Sequence, residues 1–322
     1  MSWLVTGGAG YIGAHVVRSL RSDGFEVVVL DDLSTGSRAR VPQDVALVVG
    51  SVLDRSLLST VFRAHRFDGV VHVAGKKRVD ESVARPLYYY EENVEGLRSL
   101  LDAVVAADVR RFVFSSSAAV YGMPDVDLVD EDVACRPINP YGESKLVGEW
   151  LIRATAAAHG IAYASLRYFN VAGAGAPELA DTGVFNLVPM VFERLHRGEQ
   201  PLIFGDDYPT PDGTCVRDFV HVQDLADAHA AAARRLLDAP DAALTLNVGK
   251  GEGTSVRAMV DLILTETAYR HLTPLVRARR NGDPARVVAA ADRIAKELGF
   301  HARRDLRDMV STAWAGWTAQ PR

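Results

Sequence analysis

The chain has 322 residues, of which 48% are hydrophobic and 24% are charged, a composition typical of a globular protein. Its net charge of −5 shows no basic excess, which argues against nucleic acid or an anionic membrane as a partner. Cys135 and Cys215 form neither a CxxC pair nor a zinc-type cluster, so no metal site is predicted. The first residues do not resemble a signal peptide and no apolar run is long enough to span a membrane, so we expect a cytoplasmic protein.

Short apolar runs alternate with amphipathic stretches through the first half of the chain. The predicted strands cover residues 3–5, 27–30, 46–49, 70–73, 111–114 and 162–166. The predicted helices cover residues 11–21, 57–65, 87–107 and 142–159. Strands that are apolar throughout and alternate with helices predict an α/β protein with a Rossmann-type, doubly wound parallel sheet that helices cover on both faces.

The second half of the chain is punctuated by proline and glycine, although helices at 222–237 and 255–266 are still predicted. We interpret it as a smaller C-terminal α/β lobe that binds the substrate and closes over the carboxyl edge of the sheet. The predicted division is a Rossmann domain at residues 1–170 and a mainly substrate-binding lobe at residues 171–322. Some later segments are expected to return to the first domain, so the two interleave.

A glycine-rich loop joins the first predicted strand to the first predicted helix. Gly7, Gly10 and Gly13 form a GxxGxxG pattern, which permits a tight turn and a close approach of the backbone to a pyrophosphate at the helix N-terminus. The pair Asp31 and Asp32 ends the next strand, where a carboxylate bonds an adenosine ribose and repels a 2′-phosphate. The pattern therefore predicts NAD, rather than NADP, as the cofactor.

Tyr141 and Lys145 are four residues apart and therefore lie on one face of a helix. A free tyrosine has a pKa of about 10, and bringing it near 7 takes roughly 4 kcal/mol of charge stabilisation. The Lys145 ammonium and the positive nicotinamide ring are expected to supply it, which makes Tyr141 a general base and acid. Ser117, in the serine run that follows a strand, is predicted to bond the reacting hydroxyl.

Together these motifs resemble the extended branch of the short-chain dehydrogenase/reductase superfamily. The resemblance narrows to the UDP-glucose (UDP-galactose) 4-epimerase family and runs from residue 2 to about residue 300. It is carried by SSSAAVYG at 115–122, NPYG at 139–142, RYFNVAG at 167–173 and, most specifically, DDYPTPDGTCVRD at 206–218. The resemblance implies that Tyr141 removes the proton of a UDP-sugar's 4-hydroxyl while the C4 hydride passes to a retained NAD. The 4-keto sugar then turns over, and the hydride returns to its opposite face.

The resemblance also implies the cofactor contacts. Lys77 matches the lysine that reaches NAD, Asn93 matches an asparagine of the cofactor loop, and Tyr168 lies against the nicotinamide. The full implied cofactor set is Gly7, Gly10, Tyr11, Ile12, Gly13, Asp31, Asp32, Ser51, Val52, Ala74, Lys77, Asn93, Ser115, Tyr141, Lys145 and Tyr168.

On the substrate side, Arg217 and Arg280 match the arginines that hold the diphosphate, and a guanidinium fork independently suits a phosphate pair. Phe204 matches a residue beside the uracil, and Asp283 matches the carboxylate on the uridine ribose. The full implied substrate set is Ser117, Tyr141, Asn170, Asn186, Leu187, Phe204, Arg217, Arg280, Asp283 and Val287.

Two positions depart from the family pattern. Ser51 stands where an aspartate usually contacts adenine, which concerns the affinity for NAD rather than the chemistry. Val287 stands where members restricted to glucose and galactose often carry a tyrosine near C2 of the sugar. The smaller side chain leaves room for an N-acetyl group, so we expect UDP-N-acetylhexosamines to be accepted as well.

Three other functions can be compared with the same residues. A nucleotide-sugar dehydratase or decarboxylase needs an acidic residue just past Ser117, where Ala118 and Ala119 stand. The activity of a UDP-glucuronate 4-epimerase stays open as an alternative, because Arg286 could supply the positive charge that the sugar carboxylate needs. A dinucleotide-sensing regulator is disfavoured, because such proteins typically lose the catalytic tyrosine or lysine. The family pairs through the helices at 87–107 and 141–159, so a homodimer is expected by resemblance.

Overall fold

The computed structural model describes residues 1–280 and 282–320. Its strands are β1 (Ser2–Thr6), β2 (Glu26–Asp31), β3 (Ala46–Val49), β4 (Gly69–His72), β5 (Arg111–Ser115), β6 (Ala162–Tyr168), β7 (Asn170–Ala172), β8 (Leu202–Phe204), β9 (Val216–His221), β10 (Ala243–Val248), β11 (Gly253–Ser255), β12 (Leu275–Arg277) and β13 (Arg286–Val287). Its α-helices are α1 (Tyr11–Ser22), α2 (Arg55–Ala64), α3 (Val79–Ala84), α4 (Pro86–Tyr89), α5 (Gly96–Ala106), α6 (Pro140–His159), α7 (Leu187–His196), α8 (Val222–Asp238), α9 (Val256–Glu266), α10 (Asp292–Leu298) and α11 (Leu306–Thr318).

A seven-stranded sheet in the order β10-β6-β5-β4-β1-β2-β3 forms the centre of the molecule. Every neighbouring pair in it is parallel. One face is covered by α1 and α8, whose apolar side chains share a core cluster with the sheet. The other face is covered by α2, α5 and α6. The predicted α/β doubly wound fold is therefore confirmed, and burial on both faces explains why the strands are apolar throughout.

The order of the sheet places the site. From β1 the chain builds outward through β2 and β3, and it then crosses back to β4 and builds through β5 and β6 on the other side. The loops after β1 and β4 consequently leave in opposite directions and open a crevice at the carboxyl ends of these strands. Ligands of doubly wound sheets bind in this crevice.

Smaller sheets follow in the second half of the chain. β9 pairs with β11, β13 and β7, and β8 pairs with β12. The helices α7, α9 and α11 enclose a separate apolar cluster beside them. β10 instead pairs with β6, so one segment of the second half lies in the large sheet. The boundary at residue 170 stays a prediction.

Two kinds of feature are missing from residues 1–280 and 282–320. No helix there combines the length and the apolar character that crossing a bilayer requires. The same residues contain no group of three or more His, Cys, Asp or Glu side chains arranged to hold a metal ion.

Candidate active site

A cavity of about 450 Å³ lies at the carboxyl ends of the central strands of the large sheet. Most of the residues that the sequence assigns to the cofactor line it. They are Gly7, Gly10, Tyr11, Ile12, Gly13, Asp31, Asp32, Ser51, Val52, Ala74, Lys77, Tyr141, Lys145 and Tyr168. Asn93 and Ser115 do not line this cavity. The crevice therefore brings residues from six separate stretches of the chain to one place.

The glycine loop has no room for side chains at the points where the sequence has none. Gly7 has φ +72°, and a Cβ on it would lie 2.6 Å from the Ala74 backbone nitrogen. A Cβ on Gly13 would lie 2.0 Å from the Gly7 carbonyl oxygen. Gly10 caps α1 without a side-chain hydrogen bond, which leaves the N–H groups of the first turn for an anion. This cradle fits the pyrophosphate of a dinucleotide.

Replacing Gly13 with alanine is expected to abolish cofactor retention, because the new methyl group would overlap the Gly7 carbonyl and force the loop away from α1. We expect a loss of about 1–3 kcal/mol in the free energy of unfolding. Thermal unfolding and the nucleotide content of the purified protein measure the two effects. Gly24→Ala is the control, because Gly24 has φ +84° but no atom within 4 Å of a Cβ, so it strains the backbone far from the cradle. A Gly13→Ala protein that retains its nucleotide contradicts this account.

The two aspartates after β2 differ in their surroundings. Asp31 is buried, and its carboxylate accepts hydrogen bonds from the Ala9 nitrogen at 2.9 Å and the Leu33 nitrogen at 2.8 Å. Burial raises the pKa of Asp31, and these two N–H groups oppose the rise. Asp32 is exposed and accepts from the backbone and hydroxyl of Ser34. Asp31 therefore braces the glycine loop, while Asp32 presents its carboxylate at the surface of the cavity.

Asn93 is not among the residues that line the cavity, but it contacts Lys76, which does. The predicted single helix at 87–107 is wrong in one stretch, because a π-helix at Tyr90–Glu95 separates α4 from α5. Such segments often occur at functional sites. Asn93 lies in it, accepts from the Lys76 nitrogen at 2.7 Å, and donates to the Lys76 carbonyl at 3.0 Å and the Ser144 hydroxyl at 2.9 Å. These bonds connect the loop after β4 to α6, and the role of Asn93 toward the cofactor stays a prediction.

The three predicted catalytic side chains meet where β5 ends and α6 begins. The side chain of Asn139 caps α6 by accepting from the Gly142 nitrogen, which sets Tyr141 in the first turn. Lys145 donates from Nζ to the Ser115 carbonyl at 2.9 Å. The Ser117 side chain lies close enough to the Tyr141 phenol to lower its pKa. The tyrosine and lysine thus share one face of α6, as the spacing predicts.

The pKa of Tyr141 in the protein alone is governed by desolvation. Burial raises the pKa of Tyr141, and the hydrogen bond from Ser117 is the opposing effect. Burial lowers the pKa of Lys145 to about 8, against the attraction of Glu149. The lowering expected from Lys145 and from the positive nicotinamide ring stays a prediction, because desolvation of the phenol is the largest effect in the protein alone.

A buried ion pair behind the catalytic groups was missed by the sequence reasoning. Arg167 binds both carboxylate oxygens of Glu149, at 2.9 and 2.7 Å. The Ser116 hydroxyl donates to the same carboxylate at 2.6 Å. Glu149 follows Lys145 by one further helical turn, so the spacing Tyr-xxx-Lys-xxx-Glu was the available signal. Its partner on β6 had no signal, because the pairing depends on how α6 packs on the sheet.

The residues assigned to the nucleotide of the substrate lie outside the 450 Å³ cavity but close to one another. Arg217 donates to the Pro284 carbonyl at 2.7 Å and lies 3.6 Å from the Asp283 carboxylate. The Arg280 guanidinium lies 3.9 Å from the centre of the Phe204 ring. The structure therefore brings the two arginines, the aromatic ring and the carboxylate into one region.

The other assigned substrate residues are more scattered. Asn170 is exposed on β7, and Leu187 begins α7. Asn186 caps α7 and donates to the Asp181 carboxylate at 2.9 Å, and Asp181 lines the cavity. Val287 is only 8% exposed and packs in an apolar cluster with Phe169. The role of Val287 beside the sugar stays a prediction.

Comparison with known proteins agrees with this site. The model of the NAD dependent epimerase/dehydratase family matches residues 3–249. The chain is 45% identical over 318 residues to the UDP-glucose 4-epimerase of Azospirillum brasilense, covering 98% of this chain and 91% of that protein. It is 44% identical to the enzyme of the same name from Streptomyces lividans, covering 99% of this chain and 97% of that protein.

Comparison with solved structures points to the same family. The crystal structure of UDP-glucose 4-epimerase from Stenotrophomonas maltophila, with bound NAD and formylated UDP-arabinopyranose, has a TM-score of 0.94 to this structure at 38% identity. The match covers 99% of this chain and 98% of that one. The family that the motifs predict, and with it the dependence on NAD, is confirmed. The chain belongs to the NAD dependent epimerase/dehydratase family.

Proposed function

We propose that the protein interconverts UDP-glucose and UDP-galactose by inverting C4 of the sugar, with NAD as its cofactor. The observation that carries the proposal is the position of Tyr141 and Lys145 in the wall of the same cavity as the glycine cradle. A phenol and an ammonium beside a dinucleotide suit the removal of a proton from a hydroxyl during its oxidation. The name of the A. brasilense relative, which is similar over nearly the whole chain, supports the choice of sugar.

NAD is assigned to the cavity that the glycine cradle closes at one end. The first turn of α1 would hold the pyrophosphate, Asp32 would bond the adenosine ribose, Lys77 would reach the cofactor, and Tyr168 would lie against the nicotinamide. When bound, NAD accepts and returns the reducing equivalent at C4, so the reaction has no net redox change. The protein is therefore expected to keep its cofactor through turnover rather than exchange it.

The chain's own residues handle the proton. The Tyr141 Oη takes the proton of the 4-hydroxyl and later gives it back, while the Ser117 hydroxyl orients that hydroxyl. The Lys145 ammonium favours the phenolate form of Tyr141 by its charge. Arg217, Arg280, Asp283 and Phe204 grip the nucleotide, which leaves the sugar free to present either face.

The proposal predicts a loss of kcat/KM as the pH rises through about 8, the pKa of the buried Lys145. Above this pH the lysine is neutral and no longer favours the phenolate. Ionisation of Tyr141 acts in the opposite direction, so the rate on the acid side should rise with pH. Lys145→Arg keeps its charge across this range, and its pH profile should lack the alkaline loss. The same alkaline loss in Lys145→Arg would contradict the assignment.

Product formation tests the proposal directly. The purified protein, with no added cofactor, is incubated separately with UDP-galactose, UDP-N-acetylgalactosamine and UDP-galacturonate, and the products are separated by chromatography. Turnover of UDP-galactose is the expected result. No turnover of any of the three overturns the proposal. Turnover of UDP-N-acetylgalactosamine would support the prediction that the small side chain of Val287 leaves room for an N-acetyl group.

The uronate alternative is not favoured. Arg286, its proposed cation, donates from Nε to the Asp127 carbonyl at 3.0 Å on the exposed surface. The A. brasilense and S. lividans relatives are named for UDP-glucose. Turnover confined to UDP-galacturonate would reverse this preference.

The proposal includes a homodimer that acts in the cytoplasm, with α5 and α6 as the pairing helices. The resemblance to the family supports this choice of helices. Sedimentation of the purified protein would measure a mass twice that of the 34.9 kDa chain.

A further inference from the structure

Arg40 is a buried arginine in the wall of the cofactor cavity, and the sequence reasoning did not single it out. It is 8% exposed and lies in a short 3₁₀ turn, Arg38–Arg40. Its Nη2 donates to the Ala180 carbonyl at 2.8 Å and lies 3.3 Å from the Thr182 hydroxyl. Within residues 1–280 and 282–320, no carboxylate lies within ion-pair distance of it, and no hydrogen bond uses its Nε or Nη1.

An arginine in this state indicates a missing anion. Removing a guanidinium from water is strongly unfavourable unless an anion faces it, so buried arginines are normally paired. The Asp181 carboxylate is close enough to raise the pKa of Arg40 against burial, but it is bonded by Asn186 and lies 3.8 Å from the Lys77 ammonium. Two nitrogens of the Arg40 guanidinium, Nε and Nη1, remain for a ligand in the cavity.

The segment that Arg40 contacts forms part of the wall of the cavity. We call residues 180–186 the strap, because Asp181, Thr182, Gly183 and Phe185 line the cavity. Besides Arg40, the strap contacts Lys77 through Asp181, and the Arg78 guanidinium lies 4.4 Å from the centre of the Phe185 ring. Its last residue, Asn186, is one of the residues that the resemblance assigns to the substrate.

The first turn of α1 indicates which anion belongs there. Tyr11 lies in that turn, and the charge of Arg40 opposes the rise that burial and Asp181 produce in the pKa of Tyr11. The turn that carries Arg40 also contacts the glycine loop directly, because the Ser37 nitrogen donates to the Ala9 carbonyl at 3.0 Å, and Arg40 lines the same cavity as Gly10. Arg40 is therefore near the helix N-terminus that favours a pyrophosphate. Arginine is well suited to phosphate, since its fork binds two oxygens at once.

We propose that Arg40 binds a phosphate oxygen of the dinucleotide and holds the strap at the same time, so that cofactor retention and strap closure depend on one side chain. The inference rests on the proposed function, because it takes NAD as the cofactor. It would also explain why the protein is expected to keep NAD between turnovers. The negative charge of the cofactor would pair with the Arg40 guanidinium, and the same guanidinium would hold the strap against the cavity.

The test compares four proteins: wild type, Arg40→Met, Arg40→Lys and Arg38→Met. Arg38→Met is the matched control, because Arg38 is exposed in the same turn and makes no side-chain hydrogen bond or ion pair within the described residues. Two quantities are measured on each protein. The first is the rate at which bound NAD is released on dilution, and the second is the rate of chymotrypsin cleavage after Phe185, which is 47% exposed.

Arg40→Met should release NAD roughly 10- to 100-fold faster, which corresponds to the loss of one charged hydrogen-bonded contact. It should also be cleaved faster after Phe185, and saturating NAD should no longer protect it. Arg38→Met should match wild type in both measurements, and Arg40→Lys should fall between. Thr182→Val removes only the hydroxyl that Arg40 faces and should speed cleavage with a smaller change in NAD release.

The outcomes separate the two proposals. If wild type itself binds no NAD, the proposed function fails. If wild type binds NAD and Arg40→Met retains it equally well, the role of Arg40 is overturned and the proposed function stands. Faster cleavage with unchanged NAD release would make Arg40 a purely structural contact and would also overturn the inference. If Arg40→Met fails to fold, the rates of NAD release and of cleavage after Phe185 in Arg40→Lys and Thr182→Val test the same inference.

Discussion

Tyr141→Phe is expected to lower kcat by about 10²- to 10⁴-fold while the protein keeps its fold and its NAD. The substitution removes only the Oη that carries the proton. The ring is 7% exposed and stays packed in the cavity wall, so binding of the cofactor should change little. The loss should therefore appear in kcat, with a small change in KM, when UDP-galactose is the substrate.

Tyr90→Phe is the matched control for Tyr141→Phe. It deletes a phenol that donates to Glu143, also on α6, at 2.8 Å, and it should leave kcat near the wild-type value. Retention of more than about a tenth of the activity by Tyr141→Phe would mean that another group moves the proton. Tyr168 is then the group to examine, since it lines the same cavity as Tyr141. A dinucleotide sensor, in contrast, would bind NAD and turn over nothing in either form.

Glu149→Gln is expected to lower the free energy of unfolding by about 3–5 kcal/mol. Both side chains of the Glu149–Arg167 pair are 8% exposed, so neutralising the carboxylate leaves a guanidinium buried without an anion. The Ser116 hydroxyl also loses its charged acceptor. Because Ser116 lies between Ser115 and Ser117, we expect kcat to fall as well. Urea unfolding measures the first effect and a product assay measures the second.

Two further proteins interpret the result for Glu149. The double substitution Glu149→Gln, Arg167→Met removes the unpaired charge and should recover part of the lost stability. Asp102→Asn removes exposed ion pairs with Arg98 at 2.9 Å and with Arg55 at 3.4 Å and should cost less than about 1 kcal/mol. A loss in Glu149→Gln as small as that of Asp102→Asn would mean that water reaches the pair in solution.

These predictions divide the site into parts with separate tasks. Tyr141 acts on the substrate proton, and the Glu149–Arg167 pair supports the strand end that carries Ser117. The glycine cradle and Arg40 act on the cofactor. Gly13→Ala and Arg40→Met should therefore lose NAD, whereas Tyr141→Phe should lose turnover with NAD in place. A single assay of bound nucleotide distinguishes the two classes of variant.

Local patterns in the chain were enough to predict the fold and much of the cavity. The alternation of apolar runs with amphipathic stretches predicts the parallel sheet, because strands buried on both faces must be apolar throughout. Gly7, Gly10 and Gly13 identify the cradle, since a Cβ at Gly7 or Gly13 would overlap backbone atoms. The spacing of Tyr141 and Lys145 places both on one helix face. Each of these signals depends on residues close together in the chain.

Other features required the tertiary structure, because they depend on which distant residues are buried together. The pKa of Tyr141 is governed by desolvation, which spacing to Lys145 does not reveal. Asn93 lies in a π-helix and hydrogen-bonds to Lys76, a contact that the sequence pattern does not reveal. The contact of Arg40 with Ala180 spans 140 residues. Burial and long-range pairing arise only when the helices and the strap pack against the sheet, and they decide how the charges of this site act.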